Sequence, residues 1–416
     1  MKKNLLCVFA VMVVMVFGMA FSASAEEGVT DTEIHIGCWG PQSGPAAPWG
    51  AVARGADAYF KMINAEGGIH GRKIVFHYFD DGYNPAKTMA GVKQLQEETG
   101  MFAYVSSVGT ATGLAVKDYL MERKIPMLGP AAGSRHWIEP PNKYLFNTYP
   151  LYLGDAQVLC RYAVNKLRFK RIAIAYANDD YGKQGLEGAQ WQLSKFGMEL
   201  VEQIPVNVAD TDMKPHIMKF RKAKAEAVLL FVNPGQVARL IGTGKAMQFA
   251  PQWMTTSTCG DVPLMMAITK GLYSGTIFAS FGMADPGQVG VGNLEDLNNP
   301  SHPLLKKYYN DAFKKFAAKE ERWGATFATG IAFAEPLVEA LKRSGRDLTR
   351  EKMVAKMEKL TNFQGINGHI NYDAFDAKDP MCRIGQTEVF LSQATADAKM
   401  EILTSWIETE YIPMGK

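Results

Sequence analysis

Residues 33–79 read EIHIGCWGPQSGPAAPWGAVARGADAYFKMINAEGGIHGRKIVFHYF. Glu33 to Cys38 is an apolar run of strand length, and a Gly/Pro/Ser loop follows from Gly40 to Pro48. Val52, Ala56, Tyr59, Phe60 and Ile63 then recur at the spacing of one helical face, until Gly67-Gly68 stops the helix. Lys73 to Phe79 is the next strand, and Asp80-Asp81-Gly82 is its turn signal. Strand, helix, strand in this order predicts a parallel sheet wrapped by helices.

The same rhythm continues outward. A helix is predicted from Pro85 to about Glu98, a strand over Phe102 to Val105, a helix over Thr112 to Arg123 and a strand over Ile125 to Leu128. It restarts after Tyr144 to Thr148, with helices at Asp155 to Leu167, Tyr181 to Phe196, Met213 to Ala223 and Gln236 to Gln248. Strands fall between and after them at Arg171 to Tyr176, Met198 to Pro205, Ala227 to Val232, Gln252 to Thr255 and Gly275 to Ala279. Two successive α/β sets imply two similar lobes, as expected where one core would have to serve 416 residues. Gly282 to Pro303 reads as a long surface connection, followed by helices at Leu304 to Phe316, Thr326 to Leu341 and Arg350 to Leu360. Pro336 is expected to kink the middle one or split it. A hairpin at Gly365 to Tyr372 and a strand at Glu388 to Leu391 complete the pattern.

Composition excludes several classes. With 47% hydrophobic residues the chain can bury a core, so disorder is out. Lys2-Lys3, the apolar run Leu5 to Phe21 and Ala23-Ser24-Ala25 form a secretion signal, residues 1–25, with cleavage expected after Ala25. A retained anchor is the competing reading. Cleavage takes two lysines and no acid, so 45 basic side chains fall to 43 against 42 acidic ones. Such a balance gives no footprint for nucleic acid or an anionic membrane. Cys38, Cys160, Cys259 and Cys382 remain, widely spaced and without C-x-x-C, so no metal site is expected. Buried thiols are the expected state, and a single bridge cannot be assigned.

No catalytic residue and no cofactor are predicted. H-E-x-x-H, Walker A and a strand-coupled G-x-G-x-x-G are all missing. Gly40 to Gly44 matches G-x-S-x-G around Ser43, but Pro41 and Pro45 favour an extended loop over a nucleophile elbow. Asp80-Asp81 and Asp179-Asp180 sit on turns, where capping explains them. Binding is better supported. Ser106 to Thr112, with Gly109 and Thr110, runs from a strand straight into a helix; Gly129 to Arg135, with Ala131, Gly133 and Ser134, follows the next strand. Small residues and hydroxyls at helix N-termini suit a carboxylate. The bland alternative makes Thr110 an N-cap and Gly133 a turn. In the second lobe the matching loops carry Tyr181, Asn233, Ser257 and Thr258. Trp49 is either a staple for the following helix or an apolar wall of the pocket.

Ile34 to Gly37, Ser43-Gly44-Pro45, Trp49-Gly50, Arg54-Gly55-Ala56, the run Ile63 to Arg72, Asp80 to Pro85, Pro130-Ala131-Ala132 and Asp180-Tyr181-Gly182 together resemble one bacterial family. It is the branched-chain amino acid type (leucine-binding) of ABC-importer substrate-binding protein, with the type I periplasmic binding protein fold. The resemblance implies two lobes, each a mostly parallel sheet flanked by helices, joined by three hinge crossovers near Thr148, Ala279 and Cys382. Lobe 1 is then 26–148 plus 280–381, and lobe 2 is 149–279 plus 382–416. It implies a carboxylate held by Gly109 or Thr110, Ala131 and Gly133, with Ser134 in place of the usual hydroxyl, and an aromatic wall at Trp49 and Tyr181. The family's acid for the ligand ammonium falls near Ser257 or Thr258, which are uncharged. Either Asp261 or another acid reaches the site, or the ligand lacks an ammonium. Arg135 either pairs with a ligand carboxylate or lies on the surface.

The expected function is a periplasmic protein that captures a small carboxylate-bearing solute by hinge closure. A branched-chain or hydrophobic amino acid or a related, even aromatic, acid would be delivered to an inner-membrane permease and its ATPase. A monomer is expected. The alternatives are a secreted α/β hydrolase and a ligand-sensing regulator of the same fold.

Overall fold

The computed structural model of the chain describes residues 26–282 and 302–414. The leader and most of the connection expected between Gly282 and Pro303 lie outside the described residues.

The first sheet is built from β1 (Glu33–Gly40), β2 (Lys73–Asp80), β3 (Ala103–Val105), β4 (Met127–Leu128) and β5 (Leu145–Phe146). All neighbours are parallel, in the order β2-β1-β3-β4-β5. Ile36 stands opposite both Phe76 and Ala103, so β1 is buried on both sides, which is why it reads as an apolar run. Between strands lie α1 (Ala51–Ala65), α2 (Pro85–Glu98) and α3 (Thr110–Glu122). Asn84 starts α2 by accepting hydrogen bonds from the Ala86 and Lys87 amides, with Pro85 at the first helical position.

The second set comprises α4 (Tyr152–Asn165), β6 (Ile172–Ala177), α5 (Asp180–Ser194), β7 (Glu202–Val206), α6 (Lys214–Lys222), β8 (Ala227–Phe231), α7 (Pro234–Ala246), β9 (Gln252–Thr255), α8 (Val262–Ile268) and β10 (Ile277–Ser280). Its strands run parallel in the order β7-β6-β8-β9-β10. The chain then returns to the first lobe through α9 (His302–Tyr308), which continues through a π-helical turn at Tyr309–Phe313 into Lys314–Phe316. Next come α10 (Ala325–Ser344), α11 (Arg350–Met357) and the hairpin β11 (Phe363–Gly365) with β12 (Gly368–Ile370).

Glycine decides where α10 packs. A Cβ at Gly330 would sit 1.9 Å from the Val52 carbonyl oxygen, and one at Gly55 would sit 1.9 Å from that of Phe327. Only bare backbone lets α1 and α10 approach this closely. The split expected at Pro336 is not there: α10 runs unbroken over 20 residues. Proline removes one amide donor, but the buried flank from Phe327 to Leu341 holds the turn in helical form.

After β12 the chain rejoins the second sheet. There β13 (Glu388–Ala394) adds antiparallel to β10, and β14 (Met400–Ile402) and β15 (Ile407–Glu408) add antiparallel to β13. The chain thus crosses between sheets three times, after β5, after β10 and before β13. The first and third crossings lie side by side: Asn147 N donates to Arg383 O (2.9 Å), and Gly385 N donates to Asn147 O (2.7 Å). Within each lobe the strand order reverses beside the first strand, at β1/β3 and at β6/β8. Ligands of open α/β sheets gather at such switch points, beyond the carboxyl ends of the strands.

Candidate functional site

The loop after β1 forms a short 3-10 turn at Ala47–Gly50 that presents Trp49. Its indole is buried, and Nε1 donates to the Thr258 carbonyl of the other lobe (2.9 Å). Tyr83, in the turn after β2, has φ +60°, a left-handed conformation that costs a bulky side chain energy. Asp81 holds it there, accepting from Tyr83 N (2.8 Å) and from the Thr88 hydroxyl (2.8 Å). Gly109, with φ +109°, leaves space for the Tyr83 ring, which a Cβ would meet at 2.8 Å. Thr110 opens α3, its hydroxyl buried and without a hydrogen-bond partner.

The second lobe supplies hydroxyls. Tyr181, at the start of α5, shares its phenol oxygen with the hydroxyls of Thr256 (3.2 Å) and Thr258 (3.1 Å). Ser257 Oγ donates to Asp155 Oδ2 (2.7 Å), as does Ser257 N (2.9 Å), and Tyr149 OH lies 3.0 Å from the same serine oxygen. These loops line a cavity between the lobes. Six aromatic rings line it: Trp49, Tyr83, Tyr149, Tyr152, Tyr181 and Phe281. Burial pushes the tyrosine phenols upward, so they stay neutral.

Among the described residues, Asp261 is the charged one in the cavity wall, and no lysine, arginine or histidine lines it. Its carboxylate caps α8 through Leu264 N (3.1 Å) and reaches across the gap to Thr326 N of α10 (3.0 Å). Burial raises its pKa, since those bonds only partly replace water. Behind Ser257, burial raises Asp155 further, to about 7, and its Oδ1 is left without a partner.

Of the residues singled out from sequence, Trp49, Gly109, Ala131, Tyr181, Ser257 and Thr258 line this cavity. Thr110 and Gly133 do not: Thr110 lies buried at the start of α3, and a Cβ at Gly133 would strike the Pro150 carbonyl at 2.2 Å. Ser134 caps the short turn Arg135–Trp137 and accepts from Gln184 Nε2 (2.7 Å), so its hydroxyl serves the lobe interface. Asn233 caps α7 and borders a neighbouring cavity. Arg135 meets neither expectation: it is buried and pairs bidentately with Glu187 of α5 (2.8 and 2.7 Å). Asp261 reaches the cavity, as one alternative required.

Tyr83, Tyr149, Tyr152 and Phe281 were not singled out from sequence. Tyr83 reads as part of a turn, and the others flank crossovers, where periodicity carries no signal. Ser43 lies on an exposed bend, its hydroxyl turned to Asp80. The four cysteines are free and buried. Among the described residues no group of three or more potential ligands could hold a metal ion, although His35 and His77 stack with nitrogens 3.0 Å apart.

Two α/β lobes, three crossovers and a cavity walled from both sides define a two-lobed binding protein of type I architecture. The chain belongs to the periplasmic binding protein family, whose model matches residues 33–386. It is 23% identical over 382 residues to a Leu/Ile/Val-binding protein homolog 2 of Brucella abortus, covering 90% of this chain and 93% of that one. A fatty acid ABC transporter substrate-binding protein from Thermomonospora curvata superposes with a TM-score of 0.79 at 22% identity, covering 93% and 95% of the two chains. A branched chain amino acid ABC transporter protein from Thermus thermophilus with bound valine gives 0.77 at 18% identity, covering 92% and 98%. These relatives are binding proteins. No helix among the described residues is long and apolar enough to cross a membrane.

Proposed function

We propose that the protein is the solute-capturing component of an ABC importer, acting in the periplasm after removal of residues 1–25. It closes on an amino acid between lobe 1 (26–148 with 280–381) and lobe 2 (149–279 with 382–416), without transforming it. It then presents the closed form to an inner-membrane permease and its ATPase.

One observation carries this reading: an aromatic cavity is walled by both lobes, with a helix N-terminus on one side and a carboxylate on the other. Gly109, at the start of α3, lines the cavity and turns that helix N-terminus, which no side chain caps, toward a carboxylate. Asp261 offers the counter-charge for an ammonium, and the rings take an apolar stem. Closure desolvates the solute, which strengthens each polar contact.

A thermal-shift screen tests it, with the standard amino acids and a set of aliphatic and aromatic acids as probes. A ligand that binds only the native state at 100 times its Kd adds about 2.7 kcal/mol of stability. At least one amino acid is expected to raise Tm and to be recovered unchanged. Loss of the probe with formation of a product would contradict the reading.

A further inference from the structure

The central cavity has a neighbour. A second cavity lies at the other switch point, lined by Asn178 and Asp179 after β6, Val206 to Val208 at and after the end of β7, and Asn233 and Gln236 after β8. Trp49, Tyr83 and Tyr181 line both cavities and stand between them.

The chemistry of this second cavity is one-sided. Among the described residues, no lysine, arginine or histidine lines it. Asp179 accepts from Gly182 N (3.1 Å) and, among the described residues, forms no salt bridge. Burial raises its pKa, and the neighbouring Asp180 adds like charge. Lys183, one turn along α5, offsets this only weakly. Asn178 Nδ2 donates to Asn207 Oδ1 (3.0 Å), which leaves the Asn178 carbonyl oxygen as an acceptor. Asn233 is only 8% exposed, and its Oδ1 takes Gln236 N (2.9 Å). A carboxylate and an amide oxygen without a cation, beyond three aromatic faces, fit a positively charged group that donates hydrogen bonds.

We propose that the second cavity is the far end of the same binding site and that the solute is a basic amino acid. Its α-carboxylate and α-ammonium occupy the central cavity, its methylene stem crosses Trp49, Tyr83 and Tyr181, and its terminal ammonium or guanidinium meets Asp179. This rests on the reading of the central cavity as an amino-acid site.

Calorimetric titration with L-lysine, L-arginine and L-norleucine tests it, because norleucine keeps the lysine stem and lacks only the terminal ammonium. Lysine or arginine is expected to bind at least tenfold more tightly than norleucine. Asp179→Asn keeps a good N-cap for α5, so the fold should persist, as an unchanged ligand-free Tm would show. In that variant the basic probes are expected to fall to within about twofold of norleucine, whose own affinity stays as it was. Norleucine binding as tightly as lysine and arginine in the natural protein, or basic probes indifferent to Asp179→Asn, would overturn the proposal and leave the amino-acid reading standing. If none of the three binds, the proposal fails, and the amino-acid reading stands or falls separately on the thermal-shift panel.

Discussion

Trp49 joins the lobes through one hydrogen bond to the Thr258 carbonyl and belongs to both cavities. Truncating it removes a ring surface and a cross-gap bond together, so Trp49→Ala is expected to weaken solute binding at least tenfold, about 1.4 kcal/mol, while the ligand-free protein stays folded. Tyr181→Ala should act in the same direction, because its phenol anchors the Thr256–Thr258 hydroxyl pair. Calorimetry with the best-bound amino acid reads both. Asp155 gives a pH test. Its pKa is about 7 in the fold against an ordinary 3.8, so between those values the native state holds a proton that the unfolded chain has released. Stability from this group is therefore lost as pH rises from about 4 to about 7 and changes little beyond. The Tm of Asp155→Asn should fall less between pH 5 and pH 8 than that of the natural protein, and parallel curves would contradict the assignment. At this scale the sequence was partly legible. Gly109, Tyr181 and Thr258 announce themselves by residue type beside a strand end. Tyr83 owes its place to an unusual backbone angle, and Asp155 to burial, and neither leaves a pattern in the chain.

Among the elements, the pair α1 and α10 shows what periodicity can and cannot convey. Both helices are legible from their apolar faces. Their partnership, nearly 280 residues apart in the chain, depends on Gly55 and Gly330 meeting opposing carbonyls, which no periodic signal encodes. Gly330→Val would force these backbones apart and is expected to cost about 3 kcal/mol, seen as a lower urea midpoint. An unchanged midpoint would mean that the helices re-pack freely. Of the kink or split expected at Pro336, the split is absent for a related reason: a local helix-breaking signal lost to burial of the whole flank. The strands of both sheets were legible because central parallel strands are continuous apolar runs. The short, part-exposed β14 and β15 lack that run, and the reading stopped before them.

At the scale of the molecule, several contacts outside the cavity join the two lobes. Arg135 grips Glu187 and also donates to the Ile412 carbonyl (3.1 Å), while the Glu139 carboxylate receives Met414 N (2.9 Å) from the C-terminal segment. Glu187→Ala leaves Arg135 buried without its partner, so the open form should gain weight, and small-angle scattering without ligand should give a larger radius of gyration. The central claim is that one solute is held between the lobes by the shared aromatic wall. Melting curves of the natural protein and of the double variant Trp49→Ala, Tyr181→Ala, taken across the amino-acid panel, test that claim most directly. The account predicts a clear rise in Tm with at least one amino acid for the natural protein and none for the variant. An equal rise in both, or no rise in either, would contradict it.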